Sequence, residues 1–139
     1  MLKQTLKCFV FLNLFFSSLV FAQQSITAQP AIDAAKAWLA EGDAGNYEAS
    51  WNKSATVFQS SINVQKWSEL LKTYRVPLGK VKTRTLKSVQ ETTALPGAPE
   101  GNYVVIQFDT VFENQTSIET VTPMKEKDGS WRVSGYFIK

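Results

Sequence analysis

Residues 102–113 read NYVVIQFDTVFE, and their alternation decides the class of fold. Val104, Ile106, Phe108 and Phe112 fall on one side of an extended chain, and Tyr103, Val105, Gln107, Asp109 and Val111 on the other. A period of two is the signature of a strand that buries one face. Residues 114–116 read as a turn. Residues 118–125 and 131–138 give two further strands joined at Asp128-Gly129, a strong hairpin signal. In the last strand Trp131, Val133 and Phe137 share one alternating face. Upstream, Leu95-Pro96-Gly97-Ala98-Pro99-Glu100-Gly101 places two prolines and two glycines in a span that precludes a regular strand. Before that loop, Val81, Thr83 and Thr85 alternate with Lys80, Lys82 and Arg84 in a strand that continues to about residue 93.

The chain ahead of Lys80 has a helical period instead. Ala31, Ala34, Ala35, Trp38 and Leu39 recur at helical spacing between Pro30, suited to a first turn, and Gly42. A second helix is expected over about 43–58, with Tyr47, Trp51 and Ala55 as its apolar stripe and Asp43 as its cap. A third begins at a Ser61 or Asn63 cap, carries Val64, Trp67, Leu70, Leu71 and Tyr74 on one face, and stops at Pro77 and Gly79. Helices followed by sequential strands predict an α+β domain, with three N-terminal helices packed on one face of a four-stranded, curved antiparallel sheet.

At the other end, residues 1–7 carry Lys3 and Lys7 without an acid, 8–21 are nearly all apolar, and Val20-Phe21-Ala22 precedes Gln23. This is the pattern of a secretory signal cleaved after Ala22. The apolar run is too short for a membrane span of roughly 20 residues, so no stable anchor is expected after cleavage. Residues 23–29 form a polar lead-in, and a single domain is expected over 30–139, placed in the periplasm or secreted. Whole-chain charge is +3, from 15 basic and 12 acidic residues. Without Lys3 and Lys7 the balance is nearly neutral, which does not support a nucleic-acid partner. There is no histidine, and the single cysteine, Cys8, lies in the leader. Zinc sites built on Cys or His and His-assisted triads are therefore excluded, and neither metal nor cofactor is expected.

Several segments together resemble the bacterial domain-of-unknown-function family 4019. They are Ala37-Trp38-Leu39; Asp43 with Gly45, Tyr47, Ser50 and Trp51; and Arg75-Val76-Pro77-Leu78-Gly79. The second half adds the Leu95 to Gly101 loop with Tyr103-Val104-Val105, then Glu119-Thr120-Val121-Thr122-Pro123, and Asp128-Gly129 with Trp131-Arg132-Val133-Ser134-Gly135-Tyr136. The resemblance implies a small exported protein and transfers no catalytic residue. The order of elements is also similar to the nuclear transport factor 2-like cone, in which a curved sheet wraps helices around an apolar cavity. Fold alone does not fix function.

The aromatic set Trp38, Tyr47, Trp51, Trp67, Tyr74, Phe108 and Trp131 falls on expected inner faces. It is open to two readings, the lining of a cavity for a small apolar ligand or plain core. Arg75, at the end of the third helix, is suited to holding the carbonyls of the following loop, with anion binding as the alternative. Lys80, Lys82 and Arg84 form a basic stripe that pairing with Asp109 and Glu119 would neutralise. Acid–base chemistry would need a buried carboxylate opposite a donor, and the available pairs are Asp109 with Tyr103 and Asp43 with Tyr47. The expectation is a non-catalytic module that binds a small ligand. The first alternative is a protein-interaction module or homodimer using an outer strip of Tyr103, Val105, Val111 and Val121. The second is a hydrolase or isomerase with a cavity carboxylate.

Overall fold

The computed structural model describes residues 28–139. The expected signal peptide, its cleavage point and most of the lead-in lie outside the described residues. The first helix, α1 (Gln29–Asp43), has Pro30 in its first turn and buries Ala31, Ile32, Ala35, Trp38 and Leu39. The small alanines let the helix lie close to the sheet, while Trp38 fills the space beyond them.

In place of one helix over 43–58 there are two, α2 (Tyr47–Asn52) and α3 (Thr56–Ser61). Between them Ser54 forms a parallel bridge with Val133, and the Ala55 N–H donates to the Val133 carbonyl at 2.8 Å. That tertiary bond holds Ala55 extended and overrides the local helical preference. Asp43 ends α1 and caps nothing, and Asn46 occupies the position before α2.

Helix α4 (Val64–Leu70) starts as the sequence predicts, with Asn63 Oδ1 accepting from the Lys66 N–H at 2.8 Å. The chain then widens into a π turn, Leu71–Arg75, and tightens into a 3₁₀ turn, Val76–Leu78. A π turn carries more residues per revolution than an α-helix. Tyr74, expected on the inner stripe, is therefore rotated outward to 67% exposure, and Arg75 is buried in its place.

Four strands, β1 (Val81–Thr92), β2 (Tyr103–Phe112), β3 (Thr116–Lys125) and β4 (Trp131–Ile138), form one antiparallel sheet in sequence order. The fold is α+β, with the N-terminal helices packed on this sheet. Irregularities interrupt the register at Val81/Thr83 and Leu86/Ser88 of β1 and at Thr122/Pro123 of β3, and such bulges bend strands. The first places Arg84 opposite Thr110 on the inner face, away from Lys80 and Lys82, which are exposed. The irregularity in the β3–β4 ladder brings Val133 and Tyr136 into the core cluster and leaves Phe137, expected beside Val133, at 62% exposure.

The core joins Trp38, Leu39, Trp67 and Leu71 to Val104, Ile106, Phe108, Val121 and Val133. Val121 pairs with Ile106 and is fully buried, so β3 presents the opposite face from that expected for the outer strip. Tyr103 is also buried, in a smaller cluster with Ala55 and Met124, and its hydroxyl donates to the Pro99 carbonyl at 2.5 Å. Of the four residues of that strip, only Val105 and Val111 remain on a partly open face.

Candidate functional site

The inner aromatics pack on one another. Trp38 lies 5.5 Å from Trp67 and 5.2 Å from Tyr136 between ring centroids, and Phe58 meets Trp67 edge-on at 5.0 Å. Their indole N–H groups are satisfied internally: Trp38 donates to Ser54 Oγ, Trp67 to Ser50 Oγ, and Trp51 to the Ile62 carbonyl. Phe108 is fully buried, and Tyr47 packs against the cluster from its margin. The void they leave, bordered by Trp38, Trp67, Arg75 and Tyr136, is about 10 Å³. Such a space holds one water at most.

Beside that void lies a polar network built on the Arg84–Glu119 pairing expected from sequence, to which the fold adds Asp43, Arg75, Thr110 and Tyr136. Glu119 is fully buried and accepts from Arg84 Nε at 2.7 Å, Arg84 Nη2 at 3.2 Å, Thr110 Oγ1 at 2.5 Å and Tyr136 Oη at 2.5 Å. Asp43 accepts from Arg84 Nη1 and Nη2 at 2.7 and 3.1 Å and from Arg75 Nη2 at 3.0 Å. Arg75 also donates from Nη1 to the Gly79 carbonyl at 2.7 Å and lies 4.4 Å over the Phe112 ring. Two guanidinium groups thus face two carboxylates, with no net charge. Burial opposes the Arg84 charge, but hydrogen bonds to Asp43 and Glu119 outweigh it and raise its pKa above the ordinary value. Burial, then the neighbouring Glu119 charge, pushes Tyr136 far above the usual phenol value.

This arrangement positions and neutralises. A carboxylate offers about four acceptor sites, and all four on Glu119 are engaged, leaving none for a substrate proton. The acid–tyrosine pairs suggested by sequence have other partners: Asp109 meets Lys87 at 3.3 Å, Tyr103 bonds Pro99, and Asp43 holds the two arginines. Sequence offered Glu119 as a partner of the basic stripe, and its spacing of two from Val121 puts both on one face, which the structure turns inward.

Open space lies at the surface. Trp131 stands between two clefts, one of about 480 Å³ bordered by Thr92, Thr93, Asn102 and Lys125, the other of about 310 Å³ bordered by Ala34, Ala37, Lys53 and Arg132. Trp131 is the one tryptophan whose indole N–H has no partner among the described residues. A third cleft, about 350 Å³, runs between β4 and the α4–π segment and is lined by Trp67, Leu70, Leu71, Tyr74, Arg75 and Phe137. The eight residues singled out by sequence thus separate. Trp38, Tyr47, Trp51, Trp67 and Phe108 belong to the packed interior or its margin, and Trp131 also packs against that margin with part of its ring. Arg75 ties the network to the loop, and Tyr74 and Trp131 face surface clefts. No described helix is long and apolar enough to cross a membrane.

Residues 34–136 match the family described as "Protein of unknown function (DUF4019)", and the chain belongs to that family. No curated protein and no solved structure matches it.

Proposed function

We propose that the protein is an exported, non-catalytic binding module that holds a small polar ligand in the cleft beside Trp131. The observation that carries this reading is that Trp131, whose N–H has no partner among the described residues, borders a cleft of about 480 Å³. Pockets for small molecules occupy about 300–1,000 Å³ and combine an aromatic wall with a few polar groups. Asn102, Lys125, Glu91 and the hydroxyl of Thr93 supply those groups, whereas the Thr92 hydroxyl is held by the Ala94 backbone. With one acid and one base among them, they suit a hydroxylated molecule that accepts from the indole N–H at the ring edge. The saturated acceptors of Glu119 support the absence of catalysis. The leader at 1–22 supports export. Helices ahead of a four-stranded meander with bulged strands support a nuclear transport factor 2-like arrangement.

The test is native mass spectrometry of the protein released by osmotic shock, alongside Trp131→Phe, which keeps a ring but removes the donor. The wild type is expected to begin at Gln23 and to carry a small non-covalent adduct whose occupancy falls about tenfold in the variant, the equivalent of one lost hydrogen bond. An adduct held equally by both, or by neither, overturns the site. A chain that retains Met1 in a membrane fraction overturns export.

A further inference from the structure

The three most exposed large apolar side chains among the described residues are Tyr74, Phe137 and Val76. Tyr74 and Phe137 line the same cleft, and Val76 follows Tyr74 by two residues. The strand beside them has an open margin. Ile118 and Lys139 exchange both backbone hydrogen bonds, at 2.8 and 2.9 Å. In an antiparallel ladder such pairs recur every second residue, so Thr120 with Phe137 and Thr122 with Gly135 are also bonded pairs. The backbone N–H and C=O groups of Tyr136 and Ile138 therefore point away from β3. At the other end of β4, Ser54 and Ala55 cover Val133. Along Tyr136 to Ile138 no strand of the described residues lies alongside.

We propose that a second copy of this chain covers this margin by adding its own β4 antiparallel to the first, about a twofold axis at Phe137. In that register Tyr136 of each copy faces Ile138 of the other, and the two residues exchange backbone hydrogen bonds. Phe137 meets Phe137 as a non-bonded pair, the closer kind, with Cα atoms roughly 4.5 Å apart. Lys139 falls opposite Gly135, so no like charges oppose each other. A strand that matches itself in apolar contact, bonding pattern and charge favours its own copy over a foreign peptide. At roughly 150–250 Å² per aromatic side chain, the exposed parts of Tyr74 and Phe137 in two copies supply on the order of 500 Å². The paired backbones and Val76 must bring the total toward the roughly 1,200 Å² of the smallest specific interfaces, so the association is weak and reversible.

Sedimentation velocity from roughly 1 µM to 1 mM, a range suited to a weak complex, tests this. The wild type is expected to pass from one-chain to two-chain mass with rising concentration. Phe137→Glu and Phe137→Lys are each expected to remain single, with the melting temperature of dilute wild type, because residue 137 is exposed. Mixed in equal amounts, they should pair again, since the twofold sets the two charges opposite each other. A wild type that stays single throughout assigns the cleft to another occupant and overturns the proposal. So does a dimer that survives either substitution, or a mixture that fails to pair. Trp131 and Phe137 lie at opposite ends of β4, so this result is independent of the ligand test.

Discussion

Tyr136 is the residue on which aromatic packing and the charge network meet, because its ring lies against Trp38 while its hydroxyl donates to Glu119. Replacing it with phenylalanine keeps the ring and removes one donor from a buried carboxylate, which costs about 1–3 kcal/mol. The effect carries a pH signature. The phenol is held above its ordinary value of 10.0 in the folded chain, so its stabilising contribution is complete below that pH. As pH rises past about 10 the unfolded chain loses this proton while the folded chain keeps it, and stability falls. Urea unfolding of wild type and Tyr136→Phe from pH 8 to 11 should show a gap that narrows with rising pH. A gap that stays constant would place the hydroxyl outside the network. At this scale the sequence was partly legible. The contact of Arg75 with the loop carbonyl follows from its place at a helix end, whereas its burial depends on the π turn. The pairing of Glu119 with Arg84 was legible, but its burial was not, because Ser117 and Glu119 give the inner face of β3 a polar start, and polarity is the signal by which outer faces are recognised.

Among the elements, the α4–π–3₁₀ segment ends at Gly79, whose φ of 80° and ψ of −165° lie in a region essentially reserved for glycine. A Cβ there would come within 2.7 Å of Glu113 Oε2 and 2.8 Å of Glu113 Cβ. Gly79→Ala is expected to cost about 1–3 kcal/mol from backbone strain alone, with the displacement of Glu113 in addition. Gly45→Ala, which shares the positive φ but has open space around it, should cost less. Equal losses in denaturant unfolding would show that the Glu113 contact contributes nothing. Strand order and both helix starts with clear caps or prolines were legible, because alternation and end signals are local. The break between α2 and α3 and the inward turn of Arg84 were not, because each is set by a partner distant in sequence: Val133 for Ala55, and Glu119 with Asp43 for Arg84.

For the molecule as a whole, two tryptophans separate core from site. Trp67 is buried between Trp38 and Phe58, and Trp67→Ala should cost about 3–5 kcal/mol. Trp131 is half-buried at the cleft wall, and Trp131→Ala should cost about 1–2 kcal/mol, in keeping with partial removal from water. Equal losses in urea unfolding would return Trp131 to the core. The strand that carries Trp131 also closes the fold. It supplies Val133 to the Ser54 bridge and Tyr136 to both Trp38 and Glu119. A ribosome makes the helices first, so Trp38 and Trp67 emerge long before the strand that seals them. Until β4 follows, the nascent chain has neither its aromatic lid nor the hydroxyl that completes the Glu119 cluster. The architecture thus postpones its own closure to the last of its four strands.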